Sequence, residues 1–258
     1  MTQSTRRAVV TGGGTGIGRA IAAHLARSGH EVVIIGRRQH VLEEAAAAIN
    51  EAASSEPTGD TPPGRVTWAT ADLTDPEAVA SLAKWLATAG PVDVLVNNAG
   101  GIFGSGGESL ADTATAWEAD FRGNVLTAVL LTEALLPHLA RPGGRIIGIS
   151  SIAGLRGAGS YGAAKAAMHA WAMSLATSVA ADGITVNIVA PGFVPDTEFW
   201  RDRLTDQVVQ SRLAQIPLGR PGTPEEIAAA VGYLAAPDAG WTTGQILQVN
   251  GGALFGRG

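Results

Sequence analysis

The 258-residue chain contains no cysteine. That absence removes disulfide frameworks, thiolate nucleophiles and cysteine-ligated zinc or iron–sulfur sites, and nothing marks an oxidising compartment. Long apolar runs are missing too: no stretch approaches the ~18 residues that a membrane-spanning helix requires. After Arg6 and Arg7 only three apolar residues precede Thr11 and a glycine series, too few for the apolar centre of a secretory leader. The expected compartment is therefore the cytoplasm, with no membrane partner. The basic residues are scattered and the formal net charge is −5, so the basic footprint of a nucleic-acid binder is lacking. The five histidines show no metal-ligand spacing, and no metal is expected. Lysine and tyrosine are scarce, with two of each against 16 arginines.

What is present is an alternation. Short β-branched runs at Arg7–Val10, Glu31–Ile35, Arg65–Ala69, Val92–Asn97, Gly144–Ile149, Ile184–Ala190 and Ile246–Val249 read as strands. Between them, Ile17–Ser28, Val41–Ala53, Pro76–Thr88, Thr113–Leu139, Tyr161–Ala181 and Pro224–Ala235 carry apolar residues at helical period. Thr74-Asp75-Pro76, Asp112-Thr113 and Thr223-Pro224 supply the caps or first-turn prolines of three helix starts. Continuous apolar strands suit a parallel sheet covered on both faces. The expectation is an α/β chain with a doubly wound parallel sheet of about seven strands, in one domain over residues 1–258. Ala53–Gly64 (ASSEPTGDTPPG) reads as an exposed loop. Pro191–Pro217 reads as a long irregular stretch, of a length that usually covers a site.

The sequence Thr11-Gly12-Gly13-Gly14-Thr15-Gly16-Ile17-Gly18 ends the first strand and opens the first helix. Glycines there let backbone N–H groups approach a pyrophosphate, which the partial positive charge of the helix N-terminus favours. Gly13 and Gly18 fit the outer glycines of a nucleoside-triphosphate loop, but Arg19 and Ala20 stand where that loop needs Lys and a hydroxyl.

The pattern Thr11-Gly12-x-x-x-Gly16-x-Gly18 resembles the cofactor motif of the short-chain dehydrogenase/reductase family, and the resemblance continues along the chain. Asn97-Asn98-Ala99-Gly100 closes the fourth strand as in that family. Asn124, Ser151 and Tyr161-x-x-x-Lys165 look like its catalytic set. Pro191-Gly192 follows the sixth strand, and Thr243-Gly244-Gln245 with Val249-Asn250-Gly251-Gly252 is similar to its usual close. The resemblance implies a Rossmann-type fold of the ordinary single-domain branch, similar to 3-oxoacyl-ACP reductases. It implies hydride transfer between a nicotinamide dinucleotide and a carbonyl or alcohol. Gly12, Thr15, Gly16, Ile17, Gly18, Asn98, Ala99, Gly100, Pro191, Gly192, Val194 and Thr197 would then face the cofactor, and Asp72 and Leu73 its adenine, although Asp72 also reads as a turn residue before Thr74-Asp75-Pro76. A homotetramer built through Thr113–Leu139, Tyr161–Ala181 and the last strand is implied as well.

Arg37 and Arg38 follow the second strand, where an acid would accept from a ribose 2′-OH and an arginine accommodates a 2′-phosphate. NADP(H) is expected, with NAD(H) not excluded.

Tyr161 and Lys165 lie one helical turn apart on one face. Lowering a phenol by three units needs about 4 kcal/mol. A unit charge at ~4–5 Å supplies about 3–4 kcal/mol at an effective dielectric near 20, so Lys165 nearly suffices to make Tyr161 acidic, with an oxidised nicotinamide adding to it. Ser151 would orient the substrate oxygen, with Ser150 as its neighbouring competitor. Asn124 would hold a relay water, or alternatively satisfy a kink in its helix. Phe193, Phe199, Trp200 and Gly101–Gly107 are the expected substrate lining. A non-catalytic NAD(P)-binding regulator is the rival reading, mildly favoured by a Ser151–Tyr161 spacing about three residues shorter than the family commonly shows. A dehydratase or epimerase is a third, disfavoured by the chain's length.

Overall fold

The computed structural model describes residues 5–55, 62–104, 106–201 and 203–256. Seven strands, β1 (Arg7–Thr11), β2 (Glu31–Gly36), β3 (Val66–Thr70), β4 (Val94–Asn97), β5 (Arg145–Ile149), β6 (Thr185–Pro191) and β7 (Ile246–Val249), form one sheet. Their order is β3-β2-β1-β4-β5-β6-β7 and every pairing is parallel. The strands alternate their apolar side chains between two cores. Val10 and Ile34 pack with Ile21, Leu25, Leu42 and Ile227 on one face. Val9 and Ile35 pack with Leu82, Leu131, Leu135 and Val179 on the other. Strands buried on both faces have no polar positions to alternate, which is why they read as continuous apolar runs.

The helices are α1 (Gly16–Arg27), α2 (Gln39–Ser55), α3 (Pro76–Ala87), α4 (Leu110–Phe121), α5 (Thr127–Leu135), α6 (Ala153–Arg156), α7 (Gly159–Val179), α8 (Asp206–Leu213) and α9 (Pro224–Ala235). Asp75 caps α3 by accepting from Glu77 N, and Thr223 caps α9 in a reciprocal box with Glu226. At α4 the expected Asp112-Thr113 start is displaced. Ser109 is the cap, in extended backbone, and Asp112 is the third helical residue that returns the bond, so the box is set three residues earlier. The single expected helix Thr113–Leu139 is instead α4, a π-helical turn at Arg122–Leu126, and α5. Α2 extends to Ser55, so part of the expected Ala53–Gly64 loop is helical, and residues 56–61 lie outside the described set. Pro191–Pro217 contains a 3-10 turn at Glu198–Trp200 and α8.

The order reverses between β1 and β4, so loops leaving their carboxyl ends diverge and leave a crevice. Among the described residues no helix is long and apolar enough to cross a membrane.

Candidate active site

The crevice opens into a cavity of about 790 Å³. One end is the glycine turn. Gly12 and Gly16 adopt left-handed backbone, φ 63° and 48°, which a side chain disfavours. A Cβ at Gly18 would stand 2.2 Å from the Gly12 carbonyl oxygen, so the close packing of α1 on β1 requires glycine. Thr11 ties this turn to the end of β4: its Oγ1 accepts from Asn98 N and Ala99 N, each at 2.9 Å. The Asn98 amide donates to Thr11 O at 2.9 Å in return. Thr15 caps α1 without a side-chain bond to any helix amide, and the first turn holds no acid. The amides there are left to an anion, which fits a dinucleotide pyrophosphate.

Thr15, Ile17, Arg37, Arg38, Asp72, Leu73, Asn98, Ala99, Gly100, Ser151, Tyr161, Lys165, Pro191, Gly192, Val194 and Thr197 line the same cavity as Gly12, Gly16 and Gly18. Asp72 is also a turn residue, its carboxylate accepting from Thr74 N at 2.9 Å and Thr74 Oγ1 at 2.8 Å; these bonds hold its pKa low. Phe199, Trp200 and Gly101 line the cavity, whereas Phe193 lies beneath it, edge-on to Trp200 at 5.1 Å. Tyr161 and Phe199 rings meet at 5.6 Å.

The short span from Ser151 to Tyr161 is closed by α6 and by Gly157 and Gly159, both left-handed at φ 85° and 56°. The reversal brings Ser151 beside the Tyr161 phenol, with its hydroxyl also accepting from Ala153 N at 3.1 Å. Ser150, the competitor, also lines the cavity but is buried, its hydroxyl meeting His169 Nε2 at 2.6 Å and donating to Lys165 O at 3.3 Å. Read only for metal-ligand spacing, the five histidines did not reveal this polar pair. His169 lies four residues after Lys165, and that helical phase was the available signal.

Lys165 Nζ donates to Ile149 O at 3.0 Å and lies 5.8 Å from the Tyr161 ring centroid. Burial lowers the lysine to about 8. Burial also dominates at Tyr161, lifting the phenol to about 12; the Ser151 hydroxyl and Arg203 oppose the rise, and Asp120 adds to it. Burial thus raises the phenol where the sequence expectation was of a lowered one, and Lys165 is not among the groups that shift it. The Asn124 side chain meets the alternative expectation, satisfying the kink in its helix. It is absent from the cavity lining. Its amide donates to Gly101 O at 2.8 Å and Asp120 O at 2.9 Å, and its Oδ1 accepts from Gly101 N at 3.1 Å. Both donors are committed, and the side chain braces the π-helical turn on which it sits. It still converges with Lys165: a Cβ at Gly100 would lie 2.6 Å from Asn124 Oδ1 and 3.1 Å from Lys165 Nζ.

Two acids escaped the sequence reading. Asp120 is buried and accepts from Phe103 N at 2.7 Å, Gly104 N at 3.1 Å and Ser160 Oγ at 2.7 Å. It precedes Asn124 by one helical turn, a phase that marks a shared face. Glu198 pairs with Arg38, whose guanidinium holds the carboxyl below its usual range. Among the described residues no group of three or more His, Cys, Asp or Glu converges as a metal site would.

A family model described as enoyl-(acyl carrier protein) reductase matches residues 12–253. The chain is 37% identical over 252 residues to Nodulation protein G of Rhizobium sp. (strain N33), covering 96% of both. It is 38% identical over 250 residues to 3-oxoacyl-(acyl-carrier-protein) reductase FabG of Escherichia coli (strain K12), covering 95% of this chain and 96% of that one. It matches the Pseudomonas aeruginosa RhlG/NADP active-site complex with a TM-score of 0.84 and 32% identity, over 96% of each chain. Fold, motif order and these full-length matches agree: the chain belongs to the short-chain dehydrogenase/reductase family.

Proposed function

We propose that the protein, acting as one domain over residues 1–258, is an NADP(H)-dependent oxidoreductase interconverting a carbonyl and a secondary alcohol. The observation that carries this reading is the convergence of Ser151, Tyr161 and Lys165 on the cavity that the glycine turn closes at its other end. The turn and the α1 N-terminus would hold the pyrophosphate, and Arg37 and Arg38 the 2′-phosphate, since β2 ends without a carboxylate. When bound, the nicotinamide supplies or accepts the hydride. Thr197 and Val194, on the loop after β6, would lie against it.

Ser151 orients the substrate oxygen, and Tyr161 gives it a proton as charge develops. A phenol at about 12 suits that direction. An alkoxide about as basic as hydroxide, whose conjugate acid has a pKa near 15.7, takes the proton downhill by about 4 units, on the order of 5 kcal/mol. Lys165, buried beside Gly100, holds the positive charge next to the ring that must receive a proton back. Asn124 keeps the Gly100–Gly101 backbone in place. Phe199 and Trp200 line the same cavity and give the reacting centre an apolar wall.

The name of the 38%-identical Escherichia coli relative makes 3-oxoacyl thioesters the first substrate class to try. The same reading keeps the cytoplasm as compartment and a homotetramer as assembly. Exposed Leu110 and Trp117 on α4, and Trp241 near the last strand, are large apolar side chains that a second copy would cover.

The test is loss of NADPH absorbance at 340 nm with an acetoacetyl thioester and a panel of ketones, for the parent protein and Tyr161→Phe. The variant should bind NADPH as the parent does and lose at least about 10²-fold in kcat. Retention of more than about a tenth of the rate removes Tyr161 as proton donor. NADPH binding without turnover of any carbonyl favours the regulator instead.

A further inference from the structure

Glu198 opens the 3-10 turn Glu198–Trp200 on the loop after β6. Its carboxylate reaches back across the mouth of the cavity to the cofactor end of the site. Oε1 accepts from Arg38 Nη1 at 3.2 Å and Arg201 Nη2 at 2.8 Å, and Oε2 accepts from Arg38 Nη2 at 2.5 Å and Thr15 Oγ1 at 3.2 Å. Arg38 is thus engaged by both of its terminal nitrogens in a two-pronged fork. Thr15, the cap of α1, turns its hydroxyl to the acid and makes no bond to a helix amide. Next to Glu198, Thr197 rests on the glycine turn: a Cβ placed on Gly16 would lie 3.2 Å from its side chain. The loop is therefore fastened to both halves of the proposed phosphate seat.

We propose that Glu198 is an internal competitor for the 2′-phosphate of NADP(H), occupying Arg38 and Thr15 when the loop is down and surrendering them when the phosphate arrives. The proposal rests on the NADP(H) reading of the cavity. Its physical basis is charge and geometry. A carboxylate offers two oxygens and one charge to the fork, whereas a phosphomonoester offers three oxygens and about −1.5 to −2 charges at neutral pH. The phosphate is the stronger ligand for a guanidinium already positioned for an oxyanion. A neutral ribose hydroxyl has no charge with which to displace the acid, so a dinucleotide lacking the phosphate leaves the fastening intact. Because Glu198 adjoins Phe199 and Trp200, which line the substrate end, its release on phosphate binding would also reset that wall. The residue thus sets how tightly a 2′-phosphate is held and links cofactor exchange to the position of the substrate loop.

The test is calorimetric binding of 2′,5′-ADP and of 5′-AMP to the parent protein, to Glu198→Gln, to Arg38→Ala and to the double variant. These adenosine halves need no turnover. Arg38 is exposed and Glu198 half-buried, and a thermal melt checks that each variant is folded. The expected result is that Glu198→Gln tightens 2′,5′-ADP about three- to tenfold, changes 5′-AMP less than twofold, and does nothing in the Arg38→Ala background. Equal affinities of parent and Glu198→Gln for 2′,5′-ADP overturn the proposal. So does weaker binding, which would make the acid a support for Arg38 and not its competitor. A parent protein that binds 2′,5′-ADP no better than 5′-AMP overturns the NADP(H) reading itself, and is told apart by that comparison alone.

Discussion

Replacing Gly18 by alanine tests whether the glycine turn is shaped by contact. The added Cβ would stand 2.2 Å from Gly12 O, 2.8 Å from Gly12 C and 2.5 Å from Asn98 Nδ2. Two of these atoms are backbone and cannot swing aside. Relief requires pushing the Gly12 peptide away from α1, which opens the 3.3 Å bond from Asn98 Nδ2 to Gly12 O and strains the 2.9 Å bond to Thr11 O. Overpacking of this kind costs about 1–3 kcal/mol, and a lost hydrogen bond about 1 kcal/mol. Alanine's better helix propensity returns up to about 1 kcal/mol. The net is ~2 kcal/mol, which for a chain of this size lowers Tm by about 4–8 °C. Because the displaced peptide carries the left-handed Gly12, 2′,5′-ADP affinity should fall at least about tenfold as well. Gly106→Ala is the control: nothing lies within 4 Å of its added Cβ, and its Tm should match the parent within about 1 °C. Thermal melts and calorimetry on the three proteins decide the matter. A Gly18→Ala protein that melts with the parent and binds 2′,5′-ADP equally well refutes the steric reasoning.

Two further substitutions probe the charges around the phenol. Burial lowers Lys165 to about 8 from its ordinary 10.5, so the folded state releases this proton before the unfolded state does. The resulting penalty on folding, about 3 kcal/mol, is full below pH 8 and fades as pH rises toward 10.5. Urea denaturation should therefore find parent stability rising, relative to Lys165→Met, between pH 7 and pH 10.5; a difference constant over that range would refute the burial argument. Asp120→Asn keeps an Oδ1 acceptor for the Phe103 and Gly104 amides and offers an amide donor to the Ser160 hydroxyl, so the loop should stay in place. Removing the negative charge should lower the Tyr161 pKa by about half a unit to one unit. The chain has only two tyrosines, so ultraviolet titration of tyrosinate, differenced against Tyr161→Phe, reads this directly. No downward movement would show that Asp120 is a brace without electrostatic reach to the phenol.

The strands and most helices were legible because their signals are local. Alternation of apolar runs, the Asp75 and Thr223 caps, and the glycine turn each act within a few residues. The break of Thr113–Leu139 into two helices was not legible, because the π-helical turn is stabilised by Asn124 reaching Gly101, 23 residues earlier in the chain. Ser151 and Ser150 are adjacent in sequence, and the engagement of Ser150 depends on α7 carrying His169 to it from 19 positions away. The direction of the Tyr161 shift was not legible for a related reason. Sequence spacing gives the distance to one cation, whereas burial is summed over every element that closes the cleft.

The sequence by itself determined the doubly wound sheet, the glycine turn at its switch point and which residues carry the motif, since period, caps and backbone freedom are written into consecutive residues. Only the tertiary structure decided the state of those residues. The Tyr161 phenol is raised because the fold withdraws it from bulk solvent. Arg38 is engaged because Glu198, 160 positions away in the chain, is carried to it by the path of that loop. Electrostatic free energy depends on distance and solvent exposure in space, and neither is a property of neighbouring letters.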